Sequence, residues 1–102
     1  MGSPVEMWCV LVPLNNNDGE VFPIEKHHEW DKFIADNCGG LTLLPSLVGK
    51  FGVDKDIIED KVKPVMVACT RAQIIGVLDY TRRFYDQKGV LAYKISDDVL
   101  IR

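Results

Sequence analysis

The chain has 102 residues, 47% apolar and 26% charged, with a net charge of −3. That length suits one domain, residues 1–102, with a single modest core. The mild negative charge, with no basic run denser than Arg82-Arg83, argues against a nucleic-acid binder, which carries a basic face.

Val5–Leu14 (VEMWCVLVPL) is rich in β-formers and apolar at both alternating positions, the pattern of a central strand. Asn15-Asn16-Asn17-Asp18-Gly19 follows. Its residues make Asx turns and tolerate left-handed backbone, so it reads as a loop. Pro23 suits a helix start. From Ile24 to about Cys38 the periodicity is helical, with Trp30, Phe33, Ile34 and Asn37 in one stripe. Gly39 is expected in the left-handed position that closes this helix, and Gly40 turns the chain into Leu41–Leu44. Pro45 interrupts the run, which resumes as Leu47–Val53; a proline there favours an edge strand or a bulge. Asp54-Lys55-Asp56 reads as a turn and Ile57–Thr70 as the returning strand of a long-tipped hairpin. Thr70-Arg71-Ala72-Gln73 is a capping box opening a second helix to about Lys88. Ile74, Val77, Leu78, Thr81 and Tyr85 form its inner stripe, and Gly89 closes it. Val90–Ile95 is the last strand.

The order β-α-β-β-α-β is that of the ferredoxin-like α+β fold. The expectation is a four-stranded antiparallel sheet with two helices on one face and the first and third strands central. Alternation sorts the first strand into Trp8, Val10 and Val12 against Met7, Cys9 and Leu11. Which set meets the helices is open at this stage, but one apolar set must remain on the other side.

Motifs for chemistry are sparse. Adjacent His27 and His28 diverge by about 100° on a helix and do not converge on a metal. Asn15–Glu20 lacks the opening Asp of a calcium loop. No metal and no cofactor are therefore expected. Gly49-Lys50-Phe51-Gly52-Val53 falls short of an RNA-binding strand motif. No Ser-His-Asp signature, P-loop or dinucleotide fingerprint is present, which leaves catalysis open because triads assemble in space. The residues left as ligand-binding candidates are Asn15, Asn17, Asp18, His27 and Arg82; Arg82 flanks the second helix's stripe, either with its stem packed and its head in water or with its guanidinium against a carboxylate across a subunit boundary. Cys9, Cys38 and Cys69 show no C-x-x-C spacing; they suit a reducing cytoplasm. The longest apolar run, Met7–Leu14, is too short to span a bilayer, and no leader pattern is visible. A cytoplasmic protein without a membrane partner is expected.

Val12-Pro13-Leu14, Gly19 and Gly39-Gly40-Leu41-Thr42 carry a resemblance. The chain resembles small bacterial and phage proteins of unassigned function that share a P-L-x-x-x-x-G loop and a G-G-x-T motif, with Cys38 standing where their pattern usually has Phe. The resemblance implies a ferredoxin-like domain and brings no catalytic residues. The expected function is a self-associating, non-enzymatic domain, a homodimer, that binds a protein or a small ligand. The alternative is a small enzyme of the dimeric α+β-barrel kind with a pocket between helices and sheet. Topology alone also allows a PII-like regulator with its long hairpin at Lys50–Lys63.

Overall fold

The computed structural model describes residues 5–38, 40–43, 47–53 and 56–96, and within 40–60 the backbone alone. In chain order its elements are β1 (Glu6–Pro13), α1 (Ile24–Asn37), β2 (Gly40–Leu43), β3 (Leu47–Val53), β4 (Asp56–Cys69), α2 (Arg71–Phe84) and β5 (Ala92–Ser96). The sheet runs β2-β4-β1-β5, with β3 also paired to β4. Every ladder is antiparallel. Two crossover helices with β1 and β4 central make this the ferredoxin-like α+β arrangement.

Among the described residues the sheet has five strands, not the four expected. The second strand is in two pieces, both laid along β4. The first pairs Gly40 with Ala68 through Leu43 with Val65. The second pairs Leu47 with Val62 through Val53 with Asp56. The pairing slips by one residue between the two, so they do not form a single ladder. Asp56 belongs to β4 rather than to a turn. Gly39, Pro45, Asp54 and Lys55 lie outside the described residues.

The helix ends follow local chemistry. Pro23, at φ −65°, caps α1 without a side-chain bond, and its carbonyl accepts from the Lys26 amide at 3.0 Å. Proline has no N–H of its own to leave unpaired there. At the far end Asn37 turns away from the stripe and donates to the Phe33 carbonyl at 2.7 Å. The capping box of α2 is formed: Thr70 Oγ1 accepts from the Gln73 amide at 3.2 Å, and Gln73 Oε1 accepts from the Thr70 amide at 2.8 Å. This helix ends earlier than expected, and Gly89 does not close it. Asp86 takes the left-handed position at φ 52°. Its amide bonds the Arg83 carbonyl at 3.2 Å and the Gln87 amide bonds Arg82 at 2.8 Å, the paired bonds of a Schellman cap. A short polar side chain tolerates that backbone where most residues do not.

One face of the sheet meets both helices. Trp8, Val10 and Val12 of β1 and Val65, Val67 and Cys69 of β4 join Trp30, Ile34, Ile74, Val77 and Tyr85 in one buried cluster, with Val90 and Ala92 packed at its edge. The alternative set, Met7, Cys9 and Leu11, therefore lies on the outer face. The α1–α2 contact carries a buried relay. Trp30 Nε1 donates to Thr81 Oγ1 at 2.8 Å, and Thr81 in turn donates to the Val77 carbonyl at 2.6 Å. Phe33 stacks on Tyr80 with centroids 3.6 Å apart, and Tyr80 continues the stack onto Phe84. These ring contacts shield the outer side of the α1–α2 seam.

Candidate functional site

A groove of about 820 Å³ opens at the end of β1. Its apolar wall comes from Leu11, Pro13, Val62, Val90 and Leu91, and its polar rim from Asn15, Asn16, Asn17, Lys61 and Gln87. Polar and apolar surface line it about equally, and a concavity that sets an apolar wall beside placed polar groups can orient a small ligand.

The asparagine loop is built to hold this rim. Asn16 Oδ1 accepts from the amides of Asp18 and Glu20, both at 2.9 Å. The Asn16 amide bonds the Glu20 carbonyl at 2.7 Å. Gly19 sits at φ +85°, where a side chain would be strained. Asn15 and Val21 form a bridge at the base of the loop, and Asn15 Nδ2 donates to the Gly19 carbonyl at 2.9 Å. Asn17 Nδ2 reaches across to the Asp86 carbonyl at 3.0 Å, tying the loop to the end of α2. Gln87 Nε2 is spent on the Tyr85 carbonyl at 3.0 Å. Thus the amide nitrogens of Asn15, Asn17 and Gln87 serve the scaffold. Asn15 Oδ1 is buried and has no hydrogen-bond partner among the described residues. A buried acceptor left so is costly unless something donates to it.

The five candidate residues do not converge. Asn15 and Asn17 line the groove. Asp18 is exposed and does not line it, and Arg82 is exposed on the last turn of α2. His27 is buried under α1, only 5% exposed, and its Nδ1 meets the Tyr85 hydroxyl at 2.7 Å. Burial, and then the nearby Lys63, push the His27 pKa below its ordinary value, so the ring is held neutral. Burial also raises the Tyr85 phenol. Phe22 packs edge-on against both rings. This pair belongs to the helix–sheet layer, not to the groove. His28 is exposed. Among the described residues no three His, Cys, Asp or Glu gather as a metal site.

Lys61, Gln87 and Leu91 are rim and wall residues with no local mark in the sequence. Lys61 sits beside the groove because Pro13 pairs with Val62, and Leu91 because its carbonyl accepts from the Leu11 amide at 3.0 Å. Only long-range pairing assembles them. The same pairing continues the groove onto the outer sheet face. Leu91, Tyr93 and Ile95 are about half exposed (51%, 50% and 49%). Tyr93 stands opposite Cys9, and its phenol is raised chiefly by their side-chain hydrogen bond. Beyond Lys94, which pairs with Trp8, the register shifts so that Ser96 faces Met7; plain alternation stops short of Ile95.

No family model and no curated protein matches the chain. Solved structures do. A divalent cation tolerance protein, CutA1, from Thermus thermophilus superposes with a TM-score of 0.65 at 13% identity, over 93% of this chain and 87% of that one. CutA1 from Oryza sativa gives 0.69 at 9% identity, over 97% and 84%. A phage SAM lyase in complex with S-methyl-5'-thioadenosine gives 0.68 at 11% identity, over 97% and 86%. At such identities the likeness is one of fold, and it agrees with the ferredoxin-like arrangement. Among the described residues no helix is long and apolar enough to cross a membrane.

Proposed function

We propose that this chain is a self-associating ferredoxin-like subunit, cytoplasmic and non-enzymatic, that holds a small ligand in the groove at the end of β1. The observation that carries the reading is continuity: Leu91 belongs both to the groove wall and to the half-exposed apolar outer face with Tyr93. A neighbouring copy seated on that face would cover the apolar side chains and wall the groove. Apolar side chains clustered on one face mark such contacts, and a twofold dimer is the commonest closed arrangement. The ligand fitting the rim offers an N–H or O–H to Asn15 Oδ1, a negative group to Lys61 and an apolar body to Pro13 and Leu91. The layer between helices and sheet is occupied by the buried cluster, which speaks against an active site there. Sedimentation equilibrium over micromolar concentrations tests the reading. The expected mass is more than one chain, reduced to one by Tyr93→Glu with the helix signal in circular dichroism unchanged. A single-chain mass for the unaltered protein at every concentration overturns it.

One observation favours a second, enzymatic reading: a lyase shares the fold. Incubation with SAM and chromatographic measurement of its loss tests this; no loss above a heat-denatured control discards it.

A further inference from the structure

The three cysteines are free, but they are not equivalent. Cys69 ends β4 on the helix-facing side, 1% exposed within the core cluster, and Cys38 packs against that cluster from the end of α1. The end of α1 folds onto the core beside the end of β4, and Cys38 packs there against the cluster that holds Cys69. The two side chains are within hydrogen-bonding reach of each other. Gln73 Nε2 donates to the Asn37 carbonyl at 3.1 Å, tying the end of α1 to the start of α2 directly over the pair. A second, smaller hollow of about 210 Å³ opens there between Phe33, Asn37, Cys38, Gln73 and Val77. Cys38 is half-buried in its wall. Cys9 lies on the opposite face of the sheet and reaches neither thiol.

We infer that Cys38 and Cys69 form a dithiol site oxidised to an intramolecular disulfide by low-molecular-weight disulfides that enter this hollow. Cys38, the more accessible thiol, is the attacking group. Its thiolate displaces one half of the incoming disulfide, which leaves as a thiol, and the mixed disulfide forms on Cys38. Cys69 then loses its proton, and its thiolate displaces the second half. One disulfide and two protein thiols give one protein disulfide and two small thiols, with two electrons passed to the small molecule. Burial raises both thiols, Cys69 to about 12, while the hydrogen bond from Cys69 favours the Cys38 thiolate. That order of acidity supports Cys38 as the first to react and makes exchange slow at neutral pH. The product would fasten the end of α1 to the strand leading into α2.

The probe is glutathione disulfide at about pH 8. The expected product is lighter by two hydrogens by intact mass, retains one titratable thiol in denaturant, and yields a Cys38–Cys69 linked peptide. Its thermal midpoint rises by roughly 15 °C or more, as expected for closing a loop of this size, and dithiothreitol reverses the rise. Cys9→Ser retains the loss of two hydrogens. Cys38→Ser abolishes it, and Cys69→Ala stops at the glutathione adduct on Cys38. Three unreacted thiols, a lasting adduct on Cys38 of the unaltered protein, or a link through Cys9 overturns the inference. Peptide mapping of the unaltered chain decides the matter even where a variant folds poorly. Because the pair lies on the helix side, this result is separable from that of the outer-face association.

Discussion

Thr81→Val isolates the buried relay between the helices. Thr81 is fully buried. Its hydroxyl both satisfies Trp30 Nε1 and spends its own proton on the Val77 carbonyl. Valine keeps the branched shape, so no cavity opens and the helix packing stays. What changes is the Trp30 N–H, left buried without an acceptor. An unsatisfied buried donor costs about 1–3 kcal/mol. The Val77 carbonyl loses a second contact while keeping its place in the helix ladder. For a domain of this size each kcal/mol moves the thermal midpoint by about 4–8 °C, so a fall of roughly 5–20 °C is expected. Urea unfolding followed by circular dichroism gives the free energy. A double-mutant cycle isolates the bond: phenylalanine at position 30 has no N–H, so Thr81→Val in a Trp30→Phe background should cost much less, leaving a coupling of about 1–2 kcal/mol. Equal costs in both backgrounds, or a Thr81→Val protein as stable as the original, would refute the relay as a source of stability.

The His27 pair predicts a pH dependence. Its folded pKa lies below the unfolded value, so the unfolded chain binds the extra proton. Stability is full above about 6.5 and falls as pH drops through that value towards the folded pKa. Urea midpoints between about pH 7.5 and 5 should show this fall, and His27→Gln should flatten it; an unchanged slope in the variant assigns the dependence elsewhere. Asp86→Gly relieves a non-glycine residue held at φ 52° and removes a negative charge from a helix C-terminus. Its free energy of unfolding should rise by up to about 1 kcal/mol, and a lower value in urea unfolding would count against the Schellman assignment.

Features decided within a few residues were legible in the sequence. The capping box needs only Thr70 and Gln73, and α1's stripe needs only the spacing of Trp30 and Ile34. Both were readable because the bonds involved are local. The end of α2 was less so, since Asp86 and Gly89 both tolerate left-handed backbone and the choice lies in where the chain must turn back towards β5. The split of the second strand depends on the register against β4, which no residue announces. In the groove, Asn15 and Asn17 were visible as turn formers. Lys61 and Leu91 were not, because their place is set by partners far along the chain. His27 bordered the apolar stripe in the periodicity, but its bond to Tyr85 crosses between two helices. Likewise no spacing in the sequence joins Cys38 to Cys69, because their nearness depends on how the end of α1 packs against the core cluster.

The position of β1 between β4 and β5 bears on how the chain is made. β1 leaves the ribosome before the other strands, yet its strand partners are Val62–Cys69 and Ala92–Ser96. At about 5–20 residues per second, its first neighbour emerges roughly 3–10 s later. Throughout that interval Trp8, Val10 and Val12 have no sheet to enter and α1 has no sheet to cover. A nascent chain halted before β4 should therefore be protease-sensitive and attractive to chaperones, and cooperative structure should arise only once the second half of the protein has been synthesised.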